Sequence, residues 1–95
     1  MIKIDYKKLE EGLPTLTGHD FEMAEKQERA AGNFTPDLTF SRSFLARLGS
    51  FALGVNVHDL KDLPLNEYAQ VTQKVNAFLY SGSGTEENAS SESGE

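Results

Sequence analysis

Two histidines stand beside aspartates, as His19-Asp20 and His58-Asp59, and these pairs are where proton transfer or metal binding would first be sought. Their spacing speaks against both. Adjacent side chains point apart on a helix or strand. Neither histidine falls in an HExxH-like spacing, and no serine occupies a nucleophile motif. The chain has no cysteine, which removes thiolate chemistry, disulfides and Cys/His zinc sites together. The carboxylates Glu10, Glu11, Glu22, Glu25 and Glu28 are interleaved with lysine and arginine in the way solvated faces are, and no glycine-rich run matches a phosphate cradle. Both His-Asp pairs therefore read as local caps. The sequence predicts a protein that is not an enzyme, with no catalytic, cofactor-binding or metal-binding residue and no cofactor.

Without chemistry to position, the elements must be built around packing. The heaviest apolar stretch is Phe40 to Gly54. At roughly 100° per residue, Phe40, Phe44, Leu45, Leu48, Phe51 and Ala52 share one arc, with Arg42, Ser43, Ala46, Arg47 and Ser50 opposite. This predicts a central helix starting near residue 37 or 41 and ending at 53. A second amphipathic helix, 65–80, follows Pro64, with Leu65, Tyr68, Val71, Thr72, Val75, Phe78 and Leu79 on one side. A third, near 19–31, opens on the capping-box-like pair Thr17 and Asp20, carries the acid-before-base pairs Glu22/Lys26 and Glu25/Arg29, and stops at Gly32-Asn33.

The remaining stretches are weaker. Met1 to Thr17 alternates at Ile2, Ile4 and Tyr6, as a short strand would, before a charged run and Pro14; residues 1–12 stay open between strand and helix within an irregular lead-in. Thr35-Pro36-Asp37 is either a turn or an N-terminal extension of the central helix. His58 to Asp62 suits a single helical turn. From Ser81 onward the chain holds one alanine and no larger apolar residue, so it is expected to be disordered. The fold class expected is all-α: a small bundle of three principal helices over residues 1–80, with an irregular N-terminal segment (1–17) and a disordered acidic C-terminal tail (81–95). Its core is drawn from Phe44, Leu48, Phe51, Tyr68, Val71, Val75, Phe78 and Leu79.

Charge narrows the partner. The net charge is −6, and Glu86, Glu87, Glu92 and Glu95 account for four of the negatives, leaving about −2 for the rest of the chain. A near-neutral body lacks the basic face from which nucleic-acid affinity comes, so no nucleic acid is expected. No stretch approaches the ~20 apolar residues of a membrane span, and the N-terminus lacks the apolar run of a signal peptide, so no membrane partner is expected either. A protein partner and a cytoplasmic location follow; the oligomeric state stays open.

The order of local signatures resembles that of the tail assembly chaperones of long-tailed bacteriophages. Leu16-Thr17-Gly18-His19-Asp20 leads a charged helix with Ala24-Glu25-Lys26, although relatives tend to have arginine in place of His19. Asp37 follows, then the aromatic-leucine helix from Ser41 to Ala52, Gly54, Asp59-Leu60 and Leu63-Pro64-Leu65, and finally Tyr68 and Val75-Asn76-Ala77-Phe78-Leu79. The likeness covers about residues 14–80. It implies a non-enzymatic protein, encoded by a phage or prophage, that binds the tape measure protein in the host cytoplasm. Such a protein assists assembly of tail tube subunits and is absent from the mature virion. It also implies that this chain is the short product where a frameshifted longer one exists. The alternatives are a structural head-tail or tail component and a small helical regulatory or DNA-binding domain. The client-binding residues expected are the apolar ones that fail to fit the core: Phe34 and Leu38, in the connection between the first two helices, and Tyr80 at the edge of the last.

Overall fold

Each helix among the described residues begins on a hydrogen-bond acceptor or on proline. In the computed structural model, which describes residues 3–81, α1 (Tyr6–Gly12) starts at Asp5, whose carboxylate accepts from Lys8 N–H at 3.1 Å. In α2 (Gly18–Ala30) the Asp20 carboxylate reaches back to Thr17 N–H at 2.9 Å, completing the predicted capping box. Ser41 caps α3 (Arg42–Leu53) and Asn56 caps α4 (Val57–Lys61). The Pro64 carbonyl accepts the first bonds of α5 (Leu65–Ser81).

The ends of α2 and α3 are equally local in origin. Gly32 (φ 95°) and Gly54 (φ 71°) take the left-handed conformation, and in each case the next residue donates to the carbonyl five positions back, Asn33 to Glu28 and Val55 to Ser50. These are Schellman endings, which favour glycine because a side chain is strained there.

The molecule is all-α, with five helices rather than three and no strand among the described residues. The N-terminal segment, expected to be irregular, forms α1 followed by a 3₁₀ turn, Leu13–Thr15. Leu9 and Leu13 are both buried in the core, and that burial, not local propensity, holds the helix. It packs on α3 through Gly12, where an added Cβ would run into the Ala52 carbonyl. Thr35 to Asp37 is a turn, not an extension of α3: Asp37 caps a separate 3₁₀ turn, Leu38–Phe40. The predicted single turn at His58 to Asp62 is α4.

Helix α3 is central, touching α1, α2, α4 and α5. It is buried almost all round, so Ala46 and Ser50, predicted to face solvent, lie inside. Phe44, Leu48, Val71 and Val75 are buried as expected, joined by Leu9, Leu13, Leu38, Leu53, Leu60 and Leu63. Phe51, Tyr68, Phe78 and Leu79 are only half-buried at the core's margin. Phe40 and Leu65, placed by periodicity on apolar arcs, are exposed. Both sit at helix beginnings, with few neighbours to cover them. Helix α5 runs through Ser81, so the expected tail loses its first residue to the helix; the rest of that reading, 82–95, lies outside the described residues.

No helix among the described residues is long and apolar enough to cross a membrane.

Candidate functional site

The connection from Gly32 to Ser41 is fixed by a polar network that begins inside the protein. Glu28, grouped by its sequence context with solvated carboxylates, is only 1% exposed. It meets Arg47 of α3 at 2.5 Å, and its other oxygen accepts from Asn33 Nδ2 at 2.8 Å. Asn33 Nδ2 also donates to Ser41 Oγ at 2.8 Å, while its Oδ1 accepts from Thr35 N–H and hydroxyl at 3.1 and 2.7 Å. One asparagine thus joins the end of α2, the loop and the start of α3.

A second brace is Arg29. Its Nη1 donates to the carbonyls of Asn33 (3.1 Å) and Thr35 (2.6 Å), and its Nη2 donates to that of Pro36 (3.3 Å). The predicted helical ion pairs Glu25/Arg29 and Glu22/Lys26 do not form. The three loop carbonyls offer Arg29 several charge-assisted bonds in place of one solvated ion pair.

Electrostatics follow from this geometry. Burial alone would push the Glu28 carboxyl up, but hydrogen bonds from Asn33, Arg47 and Ser43, together with the Arg47 charge, hold it below its ordinary value. Burial, with the Glu28 charge adding to it, pushes the Tyr68 hydroxyl up. The Thr39 hydroxyl and N–H hold exposed Asp37 below the usual aspartate value.

The braced segment carries two exposed aromatics, Phe34 at 80% and Phe40 at 79%. Tyr80 of α5 is 60% exposed and donates from its hydroxyl to Oγ1 of Thr39, the neighbour of Phe40, at 3.1 Å. Leu38, expected with Phe34 as a client-binding residue, is 2% exposed. The 3₁₀ turn that Asp37 caps folds it into the core, so it is removed from the candidate surface.

Phe40 takes its place. It stands just before the Ser41 cap, and this position normally packs on the fourth helical residue, here Leu45, as a hydrophobic staple. Here Phe40 stays mostly in solvent instead. Phe40, Leu45, Thr39, Arg42, Gln73 and Asn76 line a groove of about 190 Å³. On its floor Arg42 Nη1 donates to Thr72 Oγ1 at 2.7 Å. The signal for Phe40 was in the sequence: a serine directly before Arg42-Ser43-Phe44-Leu45 marks a helix start, and a residue ahead of the cap leaves the helix's periodicity. Glu28 had no such signal, because its partner is distant in sequence.

Phe40, with Arg42, Gln73 and Asn76 around the groove and Tyr80 joined through Thr39, makes a surface suited to protein binding, where aromatic anchors with a polar surround carry affinity; Phe34 is a further exposed aromatic on the same connection. His19 and His58 are both exposed, on α2 and α4. Among the described residues no three His, Asp or Glu side chains gather as metal ligands would. Compared with protein families, curated proteins and solved structures, the chain matches none.

Proposed function

We propose that this protein is a tail assembly chaperone of the long-tailed phage kind, a non-enzymatic protein that binds the tape measure protein in the host cytoplasm while tail tube subunits assemble around it, and that is absent from the finished particle. The resemblance of residues 14–80 is the ground for naming the client. The observation that carries a binding role is the pair Phe34 and Phe40, four-fifths exposed on a segment tied down by Arg29 and Asn33. Large aromatics held in solvent on a fixed backbone suit a client whose apolar helical stripes aggregate unless covered. Tyr80 and the groove beside Phe40 extend the same surface.

Coexpression tests the reading. The wild-type chain is expected to keep an otherwise insoluble tape measure protein in solution, and Phe34→Ser with Phe40→Ser to abolish that while the chaperone stays folded. Failure of the wild-type chain to solubilise or pull down the tape measure protein overturns it. So does detection of the chain by mass spectrometry in purified particles, which would make it a structural component.

A further inference from the structure

The three arginines of this chain have different partners. Arg47 meets the Glu28 carboxylate, and Arg29 donates to the carbonyls of Asn33, Thr35 and Pro36. Arg42, which lines the groove beside Phe40, has a neutral partner instead, the Thr72 hydroxyl. Among the described residues no carboxylate lies within ion-pairing distance of it. Asp37, on the neighbouring 3₁₀ turn, is already engaged, accepting from Thr39 N–H at 3.0 Å and from the Thr39 hydroxyl at 2.7 Å.

The Arg42 guanidinium is fixed all the same. Thr72 is fully buried, and its hydroxyl accepts from Arg42 Nη1 at 2.7 Å while its own proton has the Tyr68 and Ala69 carbonyls at 3.0 and 3.1 Å. One N–H of a rigid fork is thereby anchored to α5, which orients the donors that remain.

Size and charge together identify what fits. The groove is about 190 Å³. An apolar cavity of about 150 Å³ holds a benzene molecule, so this groove has room for one leucine- or phenyl-sized side chain and not for a whole helix face. Phe40 and the nearly buried Leu45 are its apolar lining, and Arg42 is the single charged residue among those that line it. A guanidinium beside an apolar seat is complementary to an apolar side chain with a carboxylate next to it. The net charge of −6 favours cations instead. At physiological salt, however, exposed charges more than about 8 Å apart are largely screened, so the guanidinium in the groove decides.

We infer that this groove seats one apolar side chain of the client with an aspartate or glutamate beside it, and that Arg42 selects that carboxylate. On a helical client the two residues lie three or four positions apart, on one face. The inference rests on the reading of Phe40 as part of the client-binding surface and adds the chemistry that the client segment must carry.

The probes are three labelled peptides of about 18 residues, long enough to hold a helix. They share one leucine stripe and differ in the residues that border it, which are glutamates, glutamines or lysines. Each is titrated into the full chain by fluorescence anisotropy at about 0.15 M salt. The glutamate peptide is expected to bind about fivefold more tightly than the glutamine peptide, the upper end for an ion pair open to solvent. The lysine peptide should bind most weakly, the reverse of the order that net charge gives. Arg42→Gln should bring the glutamate and glutamine peptides to equal affinity, and Arg42→Lys, which keeps the charge without the fork, should restore part of the preference. Both variants should keep their far-UV circular dichroism and Tm. Amide shifts on adding the glutamate peptide to the wild-type chain should centre on Thr39, Phe40, Gln73 and Asn76, a readout that needs no variant. Failure of all three peptides to bind overturns the Phe40 surface and this inference with it. Binding that is indifferent to charge, that favours lysine, that keeps its glutamate preference in Arg42→Gln, or whose shifts centre elsewhere overturns this inference alone. A dimer in sedimentation that Arg42→Gln dissociates would also overturn it, assigning the guanidinium to a second copy. So would shifts of Gln73 and Asn76 in the peptide-free chain on changing Glu86, Glu87, Glu92 and Glu95 to glutamine, which would assign it to the chain's own carboxylates.

Discussion

Glu28 and Arg47, nineteen positions apart, form an ion pair at the α2–α3 interface with the carboxylate almost wholly buried and the guanidinium largely so. A buried pair of this kind is weak evidence of stability in itself, since desolvating both ions offsets much of their attraction. Removing one partner is a different matter. Glu28→Ala leaves Arg47 without its carboxylate and Asn33 Nδ2 with Ser41 Oγ as its remaining acceptor. It is expected to cost about 3–5 kcal/mol in urea melts, whereas Glu28→Leu combined with Arg47→Met should recover most of that loss.

Acid stability should report the same pair. The folded Glu28 carboxyl lies below its ordinary value, so the unfolded chain binds the proton more readily. Its contribution is present above about pH 4.3, the usual unfolded glutamate value, and is lost as pH falls through the lower folded value. Urea midpoints of wild type and Glu28→Gln, measured from pH 7 to pH 3, should converge at the acid end. Parallel curves would show that Glu28 is not held ionised by its partners.

The contact between α1 and α3 gives a third expectation. Gly12→Ala places a methyl group against the Ala52 carbonyl and should destabilise by roughly 1–3 kcal/mol, although alanine is intrinsically the better helix former. Gly18→Ala, with open space around the new Cβ, is the control. A thermal melt in which both are neutral would mean that α1 is not docked through Gly12.

Core truncations should separate by burial. Phe44→Ala, fully buried beneath Phe21, is expected to cost about 3–5 kcal/mol. Phe51→Ala and Phe78→Ala, half-buried at the margin, should cost roughly half as much. Phe34→Ser and Phe40→Ser, exposed, should stay within about 0.5 kcal/mol of wild type. Equal losses at Phe44 and Phe34 would contradict the burial pattern.

What was legible in the sequence was local. Thr17 with Asp20, Gly32, Gly54 and Pro64 announced helix ends because each acts on backbone groups within a few residues of itself. The helices α2, α3 and α5 follow from those signals and from apolar periodicity. For residues 1–12 the sequence left strand and helix open, because what decides between them is burial of Leu9 in the core and the approach of Gly12 to Ala52 of α3, a partner far along the chain. The candidate surface divided in the same way. Phe34 and Tyr80 stand where connection and helix edge suggested, whereas Leu38 turns inward through a 3₁₀ turn that no periodicity reveals. Phe40 leaves the arc assigned to it because Ser41, one residue later, is the true cap.

The three carbonyls gathered by Arg29 have a thermodynamic consequence. A flexible loop that closes on its client forfeits conformational entropy at that moment and loses affinity for it. Here the ordering of residues 33–36 is already complete on folding, so the encounter with a client has little left to freeze. Calorimetry of binding should then show the negative heat-capacity change of apolar burial without the large opposing entropy of coupled folding. The aromatic pair would meet its client as a fixed template, and adaptation to different segments would fall to the client.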